Sequence, residues 1–103
     1  TNFLIEKLQK NTIYFRKKME TYGFKLKNGE HPIVPVMFGD AQLAKEFATL
    51  MLEQGIYVIS FSFPVVPKGE ARIRVQISAE HNQEQLDKAI SAFVHVGKKL
   101  EVI

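Results

Sequence analysis

The sequence predicts an α+β two-layer sandwich, in which three helices cover one face of a small, mainly antiparallel sheet. Two observations lead to this prediction. Segments with apolar residues at helical spacing alternate with segments rich in β-branched and aromatic residues, in the order αβαββα. The segment at 71–78 also alternates apolar and polar residues, which is typical of a sheet covered on one face only. With 103 residues, we predict one domain over 1–103.

The first two predicted helices are bounded by residues that favour helix ends. Gly23 follows the first helix and Gly55 follows the second, predicted at 41–54, and Asp40 is a good N-cap for the second. The first helix is predicted to turn one stripe inward, formed by Ile5, Leu8, Thr12, Phe15, Met19 and Tyr22. The second is predicted to turn inward Leu43, Phe47, Leu50 and Met51.

The third helix follows Asn82, which forms an N-x-x-Q variant of the capping box with Gln85. It carries Leu86, Ile90, Phe93, Val94 and Leu100. Before the first strand, Asn28-Gly29 marks the corner of a turn or short edge strand.

The first two strands are predicted at 33–39 and 56–63. Pro35 lies inside the first of them and cannot donate a hydrogen bond to a neighbouring strand, because proline has no backbone N–H. We therefore place Pro35 at a sheet edge or at a bulge.

The third strand, 71–78, carries the most informative pattern in the chain. Its apolar residues Ile73, Val75 and Ile77 share one face, which we predict to be core. The other face carries Arg72, Arg74, Gln76 and Ser78. That face is either solvated surface or an anion site, and arginine on a rigid strand can grip a carboxylate with two parallel hydrogen bonds. Pro64 and Pro67 restrict the preceding loop and hold Val65 and Val66 beside the arginines.

Composition argues against several classes of site. The chain has no cysteine, and none of its three histidines is spaced for a metal, so we predict no metal site. We also expect no membrane-spanning or targeting segment in these residues. The net charge of +3 permits an anionic partner without requiring nucleic acid. Because the chain begins at Thr1, within a predicted helix and without an initiator methionine, we expect it to be a piece of a longer protein.

Several stretches resemble one family of enzymes. "FPVVPKGEARIRVQISAEH", with "PVMFGDAQLA", "GIYV" and "AFVHVGKKLEVI", is similar to the C-terminal portion of the glycine C-acetyltransferases, or 2-amino-3-ketobutyrate CoA ligases. These belong to the α-oxoamine synthases, pyridoxal 5′-phosphate (PLP) enzymes with the aspartate-aminotransferase fold. The resemblance implies a homodimeric parent that condenses glycine with acetyl-CoA to 2-amino-3-ketobutyrate and CoA in threonine breakdown. It implies a cytoplasmic parent in bacteria and a mitochondrial one in eukaryotes.

The resemblance also implies roles for particular residues. Arg74, the second arginine of "RIR", would hold the substrate's α-carboxylate, and the uncovered sheet face would roof the active site. Val65 and Val66 would lie near the acyl group or on the side of the active site where CoA binds. Aminolevulinate synthases use succinyl-CoA and have a hydroxyl residue at the position of Val65. By this resemblance, an apolar Val65 implies that the acyl donor is acetyl-CoA. Phe63 stands where the family commonly has tyrosine, so no role that needs that hydroxyl carries over.

The resemblance places the Schiff-base lysine and the other cofactor-binding residues in a larger domain that precedes this segment. Residues 1–103 alone should therefore hold no catalytic or cofactor-binding residue and be inactive. An alternative from another class is a free-standing α/β module that binds RNA or another anion on its uncovered face. The sequence has no RNP-like signature to favour it.

Overall fold

The computed structural model describes residues 2–29 and 31–103. Its elements are α1 (Asn2–Thr21), β1 (Ile33–Gly39), α2 (Ala41–Glu53), β2 (Ile59–Phe61), β3 (Ala71–Gln76) and α3 (Gln83–Lys99). The predicted order αβαββα is confirmed. Two residues of the predicted elements, Thr1 in the first helix and Glu30 in the turn after it, lie outside the described residues.

The sheet has the order β1-β3-β2, and both strand pairs are antiparallel. Pro35 lies in β1, which is an edge strand of the sheet. The first of the two predicted alternatives, a sheet edge or a bulge, is therefore correct. The carbonyl of Pro35 accepts a hydrogen bond from Lys27 N at 3.0 Å, on the side away from β3. Since the N and C=O of one residue point the same way in an antiparallel strand, the missing N–H of Pro35 costs no hydrogen bond to β3. The register irregularity in β1 lies later, between Met37 and Gly39.

All three helices pack on one side of the sheet, which confirms the two-layer arrangement. Helix α2 packs against every strand and against α3, while α1 packs against α3. Between the layers lie fully buried residues that include Phe15, Met19, Val34, Val36, Phe47, Met51, Ile73 and Phe93. Val75 and Ile77 also pack into this core, so the predicted core face of the third strand is correct.

The predicted helix caps are present. The carboxylate Oδ2 of Asp40 accepts from Leu43 N at 2.8 Å at the start of α2. At the start of α3, Asn82 Oδ1 accepts from Gln85 N at 2.8 Å, and Gln85 Oε1 accepts from Asn82 N at 3.0 Å. This reciprocal pair is a capping box, which supplies partners for two backbone N–H groups that the helix itself leaves unpaired.

The predicted inward stripe of α1 is wrong at both ends. Ile5 is 57% exposed and Tyr22 is 46% exposed, whereas Thr12, Phe15 and Met19 are buried. Residues 2–6 are all exposed, so the first turns of α1 extend beyond the elements that cover its middle. Tyr22 lies past the end of the helix, where the chain turns. In α2, Leu43 is only partly buried and does not join the core cluster, unlike Leu50.

Both later strands are shorter than predicted. The segment at 56–63 forms a strand only over β2, because Ile56 N still bonds to Met51 O of α2 and the Ser62 carbonyl closes a turn by accepting from Val65 N and Val66 N. The third strand ends at Gln76 and not at residue 78, because Ser78 N donates to His81 Nδ1 at 3.0 Å within the next turn.

Helix α1 is tied to the end of β3 and to α3 by polar contacts. Asn11 Nδ2 donates to the backbone oxygens of Ser78 and His81, both at 2.9 Å, and the Tyr14 hydroxyl donates to Asp87. The hydrogen bond to the carboxylate, together with burial and the negative charge of Asp87, raises the pKa of Tyr14. These contacts hold the turn after β3 against the helical layer.

Helix α3 also approaches the core unusually closely at one glycine. A β-carbon at Gly97 would lie 2.8 Å from Cζ of the buried Phe24 ring. The absence of a side chain at this position lets the aromatic core reach the helix backbone.

Candidate functional site on the uncovered face of the sheet

The strand register places Arg74 at the centre of the uncovered face. Pro35 of β1 and Ile59 of β2 lie directly opposite it on either side. Because side chains two residues apart share a face, the uncovered face is built from Ile33, Pro35, Met37, Ile59, Phe61, Arg72, Arg74 and Gln76. All of its members except the two arginines and Gln76 are apolar, so Arg74 is a cation in an apolar setting.

The guanidinium of Arg74 has an aromatic neighbour and, among the described residues, no ion-pair partner. Its Cζ lies 4.9 Å from the ring centroid of Phe61, within the range of a cation–π contact. Among residues 2–29 and 31–103, no carboxylate forms an ion pair with Arg74. The side chain is exposed, so its N–H groups are available to an anion.

Arg72 differs from Arg74 although both project from the same face. Its Nη2 forms an ion pair with Glu70 Oε1 at 3.1 Å, and its Nε donates to the Glu70 backbone oxygen at 3.1 Å. The Arg72 side chain is only 12% exposed. Its charge is thus already compensated by Glu70, whereas no carboxylate of residues 2–29 and 31–103 pairs with Arg74.

A cleft of about 250 Å³ lies above this face. Its lining residues are Pro35, Phe61, Val65, Val66, Arg72 and Arg74. The structure therefore brings together Arg74, Val65 and Val66, which the sequence analysis had singled out. Val65 is 72% exposed and Val66 half-buried, and the turn closed by the Ser62 carbonyl positions both.

Sequence reasoning missed two of the residues that line the cleft. The sequence analysis gives Pro35 only a structural place in β1 and does not single out Phe61. The strand register supplies the missing information, since it puts Pro35 beside Arg74 and Phe61 beside Arg72.

A second cavity of about 300 Å³ opens where residues 56–58 diverge from β3. Its floor is core residues such as Phe15 and Phe93, and its polar lining includes Arg74, His81 and Lys88. Arg74 thus lines both cavities. The Nδ1 atom of His81 accepts from Ser78 N, and that of His31 accepts from Ile33 N, so both rings have local structural partners.

The cleft presents the cationic side chain of Arg74 but offers no group for covalent or acid–base chemistry. None of its six lining residues is a lysine, a carboxylate, a histidine or a hydroxyl residue. The described part of the chain also holds no group of three or more histidine, aspartate or glutamate side chains suited to a metal ion. Nor does any helix within residues 2–29 and 31–103 combine the length and apolar character needed to cross a bilayer.

Comparison with protein families gives a match over nearly the whole chain. The family described as aminotransferase class I and II matches residues 1–93.

Individual relatives agree with this match. The mitochondrial 2-amino-3-ketobutyrate coenzyme A ligase of Mus musculus is 53% identical over 98 residues, which are 95% of this chain and 24% of that protein. The 2-amino-3-ketobutyrate coenzyme A ligase of Escherichia coli (strain K12) is 49% identical over 100 residues, 97% of this chain and 25% of that protein. The chain spans about a quarter of the length of these relatives.

The fold has the same kind of match among solved structures. A structure of SPT with a PLP internal aldimine superposes with a TM-score of 0.90 at 29% identity. The match covers 95% of this chain and 25% of that one.

Proposed function

Because the chain belongs to the aminotransferase class I and II family, we propose that residues 1–103 form the C-terminal small domain of a PLP-dependent glycine C-acetyltransferase. The relatives that support this are named 2-amino-3-ketobutyrate coenzyme A ligases. The parent enzyme would condense glycine with acetyl-CoA to 2-amino-3-ketobutyrate and CoA, as a homodimer. It would be mitochondrial in a eukaryote, like the mouse relative, and cytoplasmic in a bacterium.

The observation that carries this proposal is the uncompensated charge of Arg74 at the centre of an apolar face. Glycine offers an α-carboxylate, and a guanidinium can bind it through two parallel N–H···O bonds. Arg72 cannot serve equally, because Glu70 already occupies its Nη2 and Nε donors. In this proposal Arg74 fixes the carboxylate and thereby orients the glycine α-carbon toward the chemistry.

The residues that line this cleft do not by themselves fit the PLP cofactor. PLP, when bound, acts as an electron sink that stabilises a carbanion at the substrate's α-carbon. Covalent attachment of PLP needs a lysine, and its pyridine nitrogen needs an acidic partner, yet the cleft contains neither. We therefore assign cofactor binding to the remainder of the parent. This chain would bind the substrate and would help to exclude water from the parent's active site.

The apolar loop suits a small acyl group. Val65 and Val66 line the cleft beside Arg74 and offer no side-chain hydrogen-bond donor. A succinyl group would bring a second carboxylate that needs a polar partner, whereas an acetyl group ends in a methyl. The free-standing RNA-binding alternative gains no support, since Glu70 compensates one of the two arginines on the face.

The proposal is tested with the purified full-length parent loaded with PLP. We expect CoA release that depends on both glycine and acetyl-CoA, while the 103-residue chain alone gives none. The assay follows free thiol at increasing glycine concentration, with serine and alanine as competing amino acids. Release of CoA from the parent that is independent of glycine, or turnover by the chain alone, would contradict it.

The role of the loop predicts a shift in acyl preference. In the parent, Val65→Thr should raise kcat/KM for succinyl-CoA relative to acetyl-CoA, because it adds a hydroxyl to an otherwise apolar wall. We expect a change in the ratio of about 10- to 100-fold, the scale of a single pocket contact, and not a complete switch.

Steady-state kinetics with the two acyl-CoA substrates measure this ratio directly. Val65→Ala serves as the control, because it alters volume without adding a polar group. An unchanged ratio in Val65→Thr, or an equal change in Val65→Ala, would show that the hydroxyl at this position does not select the acyl group.

A further inference from the structure

The Phe61 ring contacts the guanidinium of Arg74. The register pairs Phe61 with Arg72 and Ile59 with Arg74, so Phe61 and Arg74 are diagonal neighbours on the uncovered face. The Phe61 ring nevertheless lies under Arg74, with 4.9 Å between its centroid and Arg74 Cζ. Diagonal neighbours are within reach of long and aromatic side chains, so the register permits this contact.

Arg72 does not compete with Arg74 for the Phe61 ring, since Glu70 binds the Arg72 guanidinium. Glu70 binds Arg72 through its side chain and its backbone oxygen, both at 3.1 Å. Two cations would otherwise compete for one aromatic face. The uncovered face is thus arranged as one arginine neutralised by a carboxylate and a second arginine held by an aromatic ring.

From this arrangement we infer that Phe61 is a positioning residue for Arg74 and sets the affinity for the glycine carboxylate by holding the guanidinium in place. The inference rests on the proposed role of Arg74. A free arginine side chain loses considerable rotamer entropy when it binds a ligand. The contact with the Phe61 ring restricts the guanidinium beforehand. The N–H groups that point away from the ring stay free for two parallel hydrogen bonds.

This role predicts a specific kinetic pattern in the full-length parent. Phe61→Leu keeps an apolar side chain but removes the aromatic face, so we expect KM for glycine to rise about 3- to 30-fold. The KM for glycine should rise by a larger factor than kcat falls, because the ring acts through the position of Arg74. Phe61→Tyr keeps the aromatic ring, so its KM for glycine should equal that of the unmodified enzyme. Phe3→Leu, the same substitution at an exposed position of α1, is the matched control and should change none of these values.

A second measurement, on the 103-residue chain, does not depend on activity. In an NMR spectrum, the Arg74 Hδ and Hε resonances should be shifted upfield by the Phe61 ring. That shift should disappear in Phe61→Leu and persist in Phe61→Tyr. A merely structural role for Phe61 would give no ring-dependent shift at Arg74.

The two measurements separate the possible failures. If the parent shows no glycine-dependent activity, the proposed function fails, whereas the ring-current shift still tests whether Phe61 holds Arg74. If the parent is active and Phe61→Leu keeps KM for glycine within twofold, the positioning role is wrong and the function stands. Loss of the upfield shift in Phe61→Tyr, or its persistence in Phe61→Leu, also overturns the inference. The NMR result decides the question if Phe61→Leu does not yield folded parent enzyme.

Discussion

In the full-length parent, Arg74→Ala should lower kcat/KM for glycine by about two to four orders of magnitude. The guanidinium lies at the centre of the uncovered face without an ion-pair partner among the described residues, and the proposed complex buries it against a carboxylate. Removing one partner of a desolvated ion pair costs about 3–5 kcal/mol, and each 1.36 kcal/mol is about a factor of ten in rate. Because no PLP-binding residue is altered, the absorbance of bound cofactor should remain normal.

Two further substitutions show whether the loss is specific. Arg74→Lys should recover only part of the activity, since an ammonium keeps the charge but cannot form the two parallel hydrogen bonds. Arg72→Ala should cost about tenfold or less, because Arg72 is occupied by Glu70 and would act only through the shape of the cleft. Steady-state kinetics with glycine distinguish the variants. The assignment is wrong if Arg72→Ala is the more damaged enzyme, or if Arg74→Ala retains glycine affinity within a few-fold.

The contrast between these arginines shows how far the sequence could predict the site. Alternation along the strand places Arg72 and Arg74 on the same face, and the structure confirms it. Alternation cannot say which of them carries a free charge. That depends on Glu70 reaching back to Arg72 and on the ring of Phe61 reaching Arg74, and both are contacts of particular side-chain conformations. The resemblance to a family pointed to Arg74 because it is the second arginine of the "RIR" motif. The structure adds a physical argument, since Glu70 pairs with Arg72 and, among the described residues, no carboxylate pairs with Arg74.

The fold was predictable where the responsible interactions are local. The Asn82 capping box involves four consecutive residues, and glycine after a helix marks a position of positive φ, as Gly55 shows at +83°. Burial of Ile5 was predicted wrongly because periodicity reveals which face of a helix is apolar, but not how far its partner extends. The length of β2 was overestimated for a similar reason, since residues 56–63 are mostly β-formers but the turn closed by the Ser62 carbonyl ends the strand.

Phe47→Ala should cost the 103-residue chain about 3–5 kcal/mol of stability, the range measured for truncating a buried aromatic residue. Phe47 is fully buried on α2, where the helical layer meets the sheet. Its ring centroid lies 4.7 Å from that of Phe38, 5.6 Å from Phe93 and 6.2 Å from Phe24. Truncation would therefore open a cavity bordered by three other rings, which a close-packed core cannot readily fill.

A loss of this size is a large share of the roughly 5–15 kcal/mol that stabilises a typical domain, so the midpoint of urea unfolding should fall markedly while the slope stays constant. Leu52→Ala, on the same helix but 57% exposed, should change stability by about 0.5 kcal/mol or less. Circular dichroism during urea titration compares the two variants with the unmodified chain. A cost below about 1 kcal/mol for Phe47→Ala, or equal costs for both variants, would mean that the aromatic cluster does not hold α2 on the sheet. If the predicted cost is found, the same packing fixes the strands whose register centres Arg74 on the opposite face.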